Sequence, residues 1–182
     1  MSASDIRAVT LSAQQTLFHQ EATPHALYYV ASGAVTLQRH TEAGQLVTLH
    51  RASAGDLIAE ASLFSPHYHC DCIAETPSTC IALDITAVRN RMADNPDFAA
   101  ALVQRFARQV QGYRRQLELR SIKSAKQRVL AGLSDGWLQG NVLHFAADMG
   151  LTHEATYRAL AELVSDGAAI KTGRGKYRAA TP

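Results

Sequence analysis

The segment "FAADMGLTHEATYRALAELVSDGAAIKTGRGKYRA" (Phe145 to Ala179) carries the densest structural signal in the chain. "HFAADMG" has the spacing of a short amphipathic helix that stops at Gly150, a residue suited to the left-handed position after a helix end. After a tight turn, Thr152 is placed to N-cap a second helix, and Glu154 favours that helix's N-terminal dipole. The second helix is expected to bury Ala155, Ala159, Leu160 and Leu163 and to stop near Asp166-Gly167. A short helix, a glycine turn and a capped helix form the helix-turn-helix pattern. "AAIKTGRGKYRA" then predicts two short strands around Gly173 and Gly175. In a helix-turn-helix the second helix enters the major groove with its N-terminal residues at the base edges. His153, Glu154, Tyr157 and Arg158 share its outward face. Arg pairs bidentately with guanine and Glu accepts from cytosine N4, while Thr152, Lys171, Arg174 and Lys176 suit phosphate contacts. The other use of such a hairpin is protein binding.

Charge runs the same way. Residues 1–101 hold five Lys/Arg against ten Asp/Glu, and residues 102–182 hold thirteen against six. A basic C-terminal half on an acidic N-terminal half points to a polyanion partner, double-stranded DNA in the first place. Upstream of the basic module, Ala99, Val103, Phe106, Val110, Tyr113 and Leu117 recur at steps of four and three. That is the seam of a coiled coil, covering about two and a half heptads. Val103, Phe106, Val110, Tyr113 and Leu117 are therefore the expected interface with a second copy of the chain. "SIKSAKQRVLAGLSDG" (Ser121 to Gly136) reads as a further helix with Ile122, Ala125, Val129 and Leu133 on one face.

The N-terminal half has a different texture. "LYYVASGAVTLQRH" (Leu27 to His40) breaks at Gly33 and then alternates apolar and polar residues, as a half-buried strand does. "TEAG" (Thr41 to Gly44) is a turn, "QLVTLHRA" resumes the alternation, and "AGDLI" (Ala54 to Ile58) is a turn feeding a short strand. "CDCIAE" and "STCIALDI" add two strands, and helix resumes in "DITAVRNRMADNP" (Asp84 to Pro96). Many short strands with regular turns imply a small barrel or sandwich. At 47% hydrophobic residues the chain can bury a real core, and no run of 18 apolar residues offers a membrane span. Three cysteines argue against a disulfide framework, and together with the lack of a signal peptide they suggest a cytoplasmic protein.

Strands, seam helix and basic winged module in this order resemble the Crp–Fnr family of bacterial transcription regulators. "YYVASGAVTL" looks like the family's first core strands. "AGDLIAEASLF" looks like its "GD-(F/L)-(I/F)-G-E-x-x-L-(F/L)" segment, and "LTHEATYRAL" like its recognition helix "(S/T)-R-E-T-(V/A)-x-R-x-L". The resemblance implies an α+β chain: a cyclic-nucleotide-binding-like β-roll (jelly roll) over residues 1–96, a dimerisation helix over 97–120 and a winged helix-turn-helix over 121–182. It implies DNA and a second copy as partners, RNA polymerase as a further one, no membrane and no enzymatic role. Glu154 and Arg158 match the family's base-reading residues, and His153 stands where the family has Arg. Glu60 matches its ribose-binding Glu. The phosphate-anchoring Arg falls on Cys70 and the following hydroxyl on Asp71, with Arg51 the nearest preceding guanidinium. The resemblance thus implies an effector other than cAMP.

From His67 to Cys72, "HYHCDC" sets two histidines, two cysteines and an aspartate within six positions. On a strand Cys70 and Cys72 share a face, as do His67 and His69. These four suit Cu(I) or Zn(II), with Cys80 as a third thiolate, and His or Cys could also ligate haem. Equally, cysteine packs as a small hydrophobe. Glu60, Cys70, Asp71 and Cys72 are the expected effector contacts. A second function class stays open here, a cupin-like β-barrel metalloenzyme with a helical tail and His67, His69 and Glu60 as ligands.

Overall fold

The computed structural model describes residues 5–138 and 141–180. The chain forms two compact units, residues 1–102 and 103–182.

The first unit is built from eight strands: β1 (Ile6–Leu11), β2 (Thr16–Phe18), β3 (Ala26–Ser32), β4 (Ala34–His40), β5 (Leu46–Ser53), β6 (Leu57–Ile58), β7 (Asp71–Ala74) and β8 (Ser78–Asp84). They pair into two antiparallel four-stranded sheets, β1-β8-β3-β6 and β2-β7-β4-β5. Each strand contributes to one shared core, from Leu11 on β1 and Phe18 on β2 to Cys72 on β7 and Cys80 on β8. The chain passes from one sheet to the other at Gly33, which has φ 81°. A Cβ there would lie 2.2 Å from Ser78 Oγ and 2.5 Å from the Pro77 carbonyl, so only glycine fits. Ser78 Oγ accepts from the Ala34 amide at 3.1 Å and donates to the Thr76 carbonyl at 2.7 Å, which fixes the crossing. A 3-10 helix, Glu60–Leu63, follows β6 and is entered through Ala59 in the left-handed conformation at φ 61°. Helix α1 (Ile85–Asp94) is capped by Asp84, whose carboxylate accepts from the Ala87 amide at 2.8 Å.

Helix α2 runs from Pro96 to Ser121, with proline in the first turn where its missing N–H has no partner to lose. The second unit packs α3 (Ala125–Ser134), α4 (Val142–Asp148), α5 (His153–Ser165) and a two-stranded hairpin, β9 (Ala169–Gly173) and β10 (Lys176–Ala179). Leu119, Val129, Leu133, Phe145, Met149, Leu160 and Leu163 fill its core. Gly132 lets α3 and α4 approach closely: a Cβ there would sit 2.7 Å from Met149 Sδ. On α5 the buried set is Thr156, Ala159, Leu160 and Leu163, in place of the expected Ala155. The stripe starts one residue later because Thr156 satisfies its hydroxyl locally, donating to the Thr152 carbonyl at 3.0 Å. Among the described residues no helix is long and apolar enough to cross a membrane.

Candidate nucleic-acid interface and effector site

Helix α4 ends into Gly150 at φ 63°, and the turn closes with the Leu151 amide on the Ala146 carbonyl. Thr152 caps α5 by accepting from the Ala155 amide at 3.2 Å. This brings Thr152, His153, Glu154, Tyr157 and Arg158 onto one exposed face at the start of α5. His153 and Tyr157 meet edge to face, ring centroids 4.6 Å apart. Lys171, Arg174 and Lys176 are exposed on the adjoining hairpin, Lys171 with its ammonium 6.0 Å from the Tyr177 ring centre. Arg178, on the same hairpin and also exposed, belongs with them. The stretch "AAIKTGRGKYRA" includes it in the second strand, but only Lys171, Arg174 and Lys176 were read from it as phosphate contacts.

The C-terminal carbonyls of α4, which a helix leaves without internal partners, are taken by three side chains from outside it. Arg120 donates to Asp148 at 2.9 Å and Ala147 at 3.0 Å, and Gln116 to Asp148 at 3.3 Å. Arg128 donates to Met149 at 2.9 Å and also to Ile122, at 2.6 Å and 2.9 Å, in the link between α2 and α3. The last turns of α2, that link and the turn before α5 are thereby tied together. Higher on α2, Val103 (59% exposed), Val110 (44%), Tyr113 (36%) and Leu117 (68%) form an apolar stripe with the half-buried Phe106.

In the β-roll the expected metal set is not assembled. Among the described residues no three His, Cys, Asp or Glu side chains form a group that could hold a metal ion. The strand β7 begins only at Asp71, so His67, His69 and Cys70 lie in the bend before it, whose course is set by Tyr68. Its ring stacks on Phe18 at 4.1 Å and its hydroxyl donates to the Ala26 carbonyl at 2.7 Å, so Tyr68 points inward. His67 and His69 on either side are exposed, while Cys70 (8% exposed) and Cys72 (0%) face the core. Cys80 enters that core from the opposite sheet, also fully buried. Burial pushes all three thiols up, away from the thiolate that binds metals. The resemblance-based set also divides. Asp71 turns to the outer face, where its carboxylate accepts from the Gln20 amide at 2.9 Å and lies 3.4 Å from His19 Nδ1. Arg51 is held by Glu75 at 2.7 Å.

Two basic residues escaped the sequence reading. His50 pairs directly with Leu37, and Leu37 with Cys72, on the inner face of the β2-β7-β4-β5 sheet. Arg39 lies two residues beyond Leu37 on β4, and its charge reaches Cys70. Alternation along β4 through Val35 and Leu37 was the signal for Arg39.

The profile of the cyclic nucleotide-binding domain matches residues 8–95. FixK2 from Bradyrhizobium japonicum superposes with a TM-score of 0.76 at 17% identity, covering 97% of this chain and 93% of that one. The chain is similar to Crp–Fnr regulators. Two further proteins are similar at higher identity. The catabolite activator protein of Thermus thermophilus is 26% identical, with a TM-score of 0.55, over 97% of this chain and 86% of that one. The cAMP-activated global transcriptional regulator CRP of Haemophilus influenzae is 29% identical over 107 residues, 58% of this chain and 48% of that one. The chain thus spans about half the length of this curated relative in the match. The Haemophilus relative is a transcriptional regulator, and these similarities do not favour the cupin-like alternative.

Proposed function

We propose that the chain is a homodimeric, sequence-specific DNA-binding transcription regulator whose effector is not held as cAMP is held by an arginine-anchored pocket. The observation that carries this reading is the start of α5: a capped helix with four base-reading side chains exposed together, flanked by a basic hairpin. In this reading α3, α4, α5 and the β9–β10 hairpin are a winged helix-turn-helix. Glu154 and Arg158 read base edges, His153 and Tyr157 modify that readout as a pair, and Thr152, Lys171, Arg174 and Lys176 hold phosphates. The stripe Val103, Phe106, Val110, Tyr113 and Leu117 pairs α2 with α2 of a second copy, because an exposed apolar seam on a helix is removed from water most simply by the same seam of a copy related by a two-fold rotation. RNA polymerase is the further partner of such a regulator. In the β-roll Glu60 keeps the ribose-side position, but Cys70 supplies no guanidinium and Asp71 no hydroxyl. The experiment is a gel-shift selection on genomic fragments at several salt concentrations. Selected sites should be enriched, two-fold symmetric and bound more weakly as salt rises. Binding of all fragments alike, or none, would refute the reading.

A further inference from the structure

We propose that the cavity where α1 meets the β-roll, lined by Arg89, Asp84 and Phe64, is a binding site for a free α-amino acid with an apolar side chain. None of the residues lining it is among the expected effector contacts Glu60, Cys70, Asp71 and Cys72. The inference goes beyond the regulator reading and does not depend on it, because the site is contained in the first unit.

Three segments wall the cavity: the loop before β3, the 3-10 helix with its exit, and the first turns of α1. Its volume of about 630 Å³ is within the roughly 300–1,000 Å³ of small-molecule sites. Hydrogen bonds tie the walls to one another. The Ile85 amide donates to the His25 carbonyl at 3.1 Å, which joins α1 to the loop. Arg89 Nε donates to the Leu63 carbonyl at 2.6 Å, which joins α1 to the 3-10 helix. The Glu21 amide donates to the Tyr68 carbonyl at 2.9 Å and the Tyr68 amide to the Ala22 carbonyl at 3.0 Å, which joins the loop to the segment after that helix. The cavity is therefore built into the fold.

Two features of the lining define the ligand. The first is charge. Arg89 and Asp84 both line the cavity, yet among the described residues Arg89 is in no ion pair, with Asp84 or with any other carboxylate. Arg89 engages Leu63 through Nε, which leaves both Nη groups. Asp84 engages the Ala87 amide through Oδ1 at 2.8 Å, which leaves Oδ2. An anion alone would meet the Asp84 carboxylate, and a cation alone the Arg89 guanidinium. A zwitterion suits both, since its carboxylate matches the planar fork of the guanidinium and its ammonium donates to the carboxylate. The second feature is Phe64, at 76% the most exposed large apolar side chain among the described residues. A lone exposed ring needs no explanation, but this one lines the cavity together with Pro24, Pro66 and the buried Ile85. Its backbone is fixed, with the Phe64 amide on the Ala61 carbonyl at 3.0 Å. An apolar side chain on the ligand covers that ring.

The test is calorimetric titration of the full chain with three probes that share one ring: L-phenylalanine, phenylpropionate, which lacks the ammonium, and phenethylamine, which lacks the carboxylate. The expected result is saturable binding of L-phenylalanine, with each of the other two at least tenfold weaker. Asp84→Asn removes the charge and keeps the α1 cap, since asparagine caps as well as aspartate does. It should erase the preference for L-phenylalanine over phenylpropionate. Arg89→Gln should erase the preference over phenethylamine. Phe64→Ser, at an exposed position and so expected to melt as the parent does, should weaken L-phenylalanine severalfold. The assignment is overturned by the absence of saturable L-phenylalanine binding, or by a truncated probe that binds the parent chain as tightly. Preferences that persist in Asp84→Asn or Arg89→Gln, or full affinity in Phe64→Ser, overturn it as well. DNA has no part in the readout, so failure here leaves the regulator reading standing, and a chain without sequence-specific DNA binding leaves this site standing.

Discussion

Ala59 has φ 61° and ψ 26°, a conformation in which its Cβ crowds the following carbonyl. The family segment that "AGDLIAEASLF" resembles has glycine at this place, and an L-residue there costs roughly 1–2 kcal/mol. Ala59→Gly should therefore stabilise the β-roll by about 1 kcal/mol, less the greater freedom glycine gains when unfolded. Urea unfolding followed by circular dichroism measures it. His50 gives a pH effect of defined sign. Burial lowers its folded-state pKa below the ordinary 6.5, so just below pH 6.5 the unfolded chain binds more protons than the folded one. Stability must then fall as pH drops from about 6.5 toward the folded-state value, and level off beneath it. His50→Gln should flatten that part of the stability profile. A profile unchanged by the substitution would mean that the imidazole is not desolvated.

Among the elements, α2 carries two separable tasks. Its stripe is apolar where it faces no neighbour of its own unit, and burying a large apolar side chain is worth roughly 1.5–3 kcal/mol. Val110→Glu should convert dimers to monomers in sedimentation, with the helix itself intact because the position is exposed. A dimer that survives places the interface elsewhere. The far end of α2 anchors the turn before α5. Arg128 alone holds carbonyls in both the α2–α3 link and that turn, and hydrogen bonds from a charged donor are worth about 1.5–3 kcal/mol each. Arg128→Ala should lower the stability of this unit by about 2–3 kcal/mol. Trp137, the chain's one tryptophan, packs against its core and reports the loss by fluorescence. The seam and the capped α5 were legible in the sequence because helical periods and caps are local signals. The arginine clamp was not, since a guanidinium reaching 21 residues along the chain to a carbonyl leaves no local pattern.

At the scale of the whole molecule, strand existence was readable and strand pairing was not. β1 pairs with β8 and β2 with β7, partners some seventy and fifty residues distant, and no periodicity encodes such neighbours. That gap bears on the candidate site as well. "HYHCDC" left ligand and packing readings open because proximity in sequence is not convergence: His67 and His69 are exposed, while Cys70 and Cys72 are buried. His50 went unnoticed because only the register sets it beside Leu37, which in turn is opposite Cys72. The DNA reading depends less on such pairings, since its residues are consecutive on one helix and one hairpin. It makes a prediction that separates reading from holding. Arg158 is on the exposed face of α5, and one bidentate base contact carries about 1–3 kcal/mol of discrimination. Lys176, exposed on β10, faces no base edge in this docking and supplies charge alone. Arg158→Ala should narrow the gap between selected and random DNA by roughly tenfold or more. Lys176→Ala should weaken both alike and reduce the salt slope by about one unit per copy, since each phosphate contact releases close to one counterion. Fluorescence anisotropy on selected and scrambled duplexes at three salt concentrations measures both quantities at once. Exchanged outcomes, with Lys176 governing preference and Arg158 only the slope, would mean that the hairpin and not α5 reads the sequence.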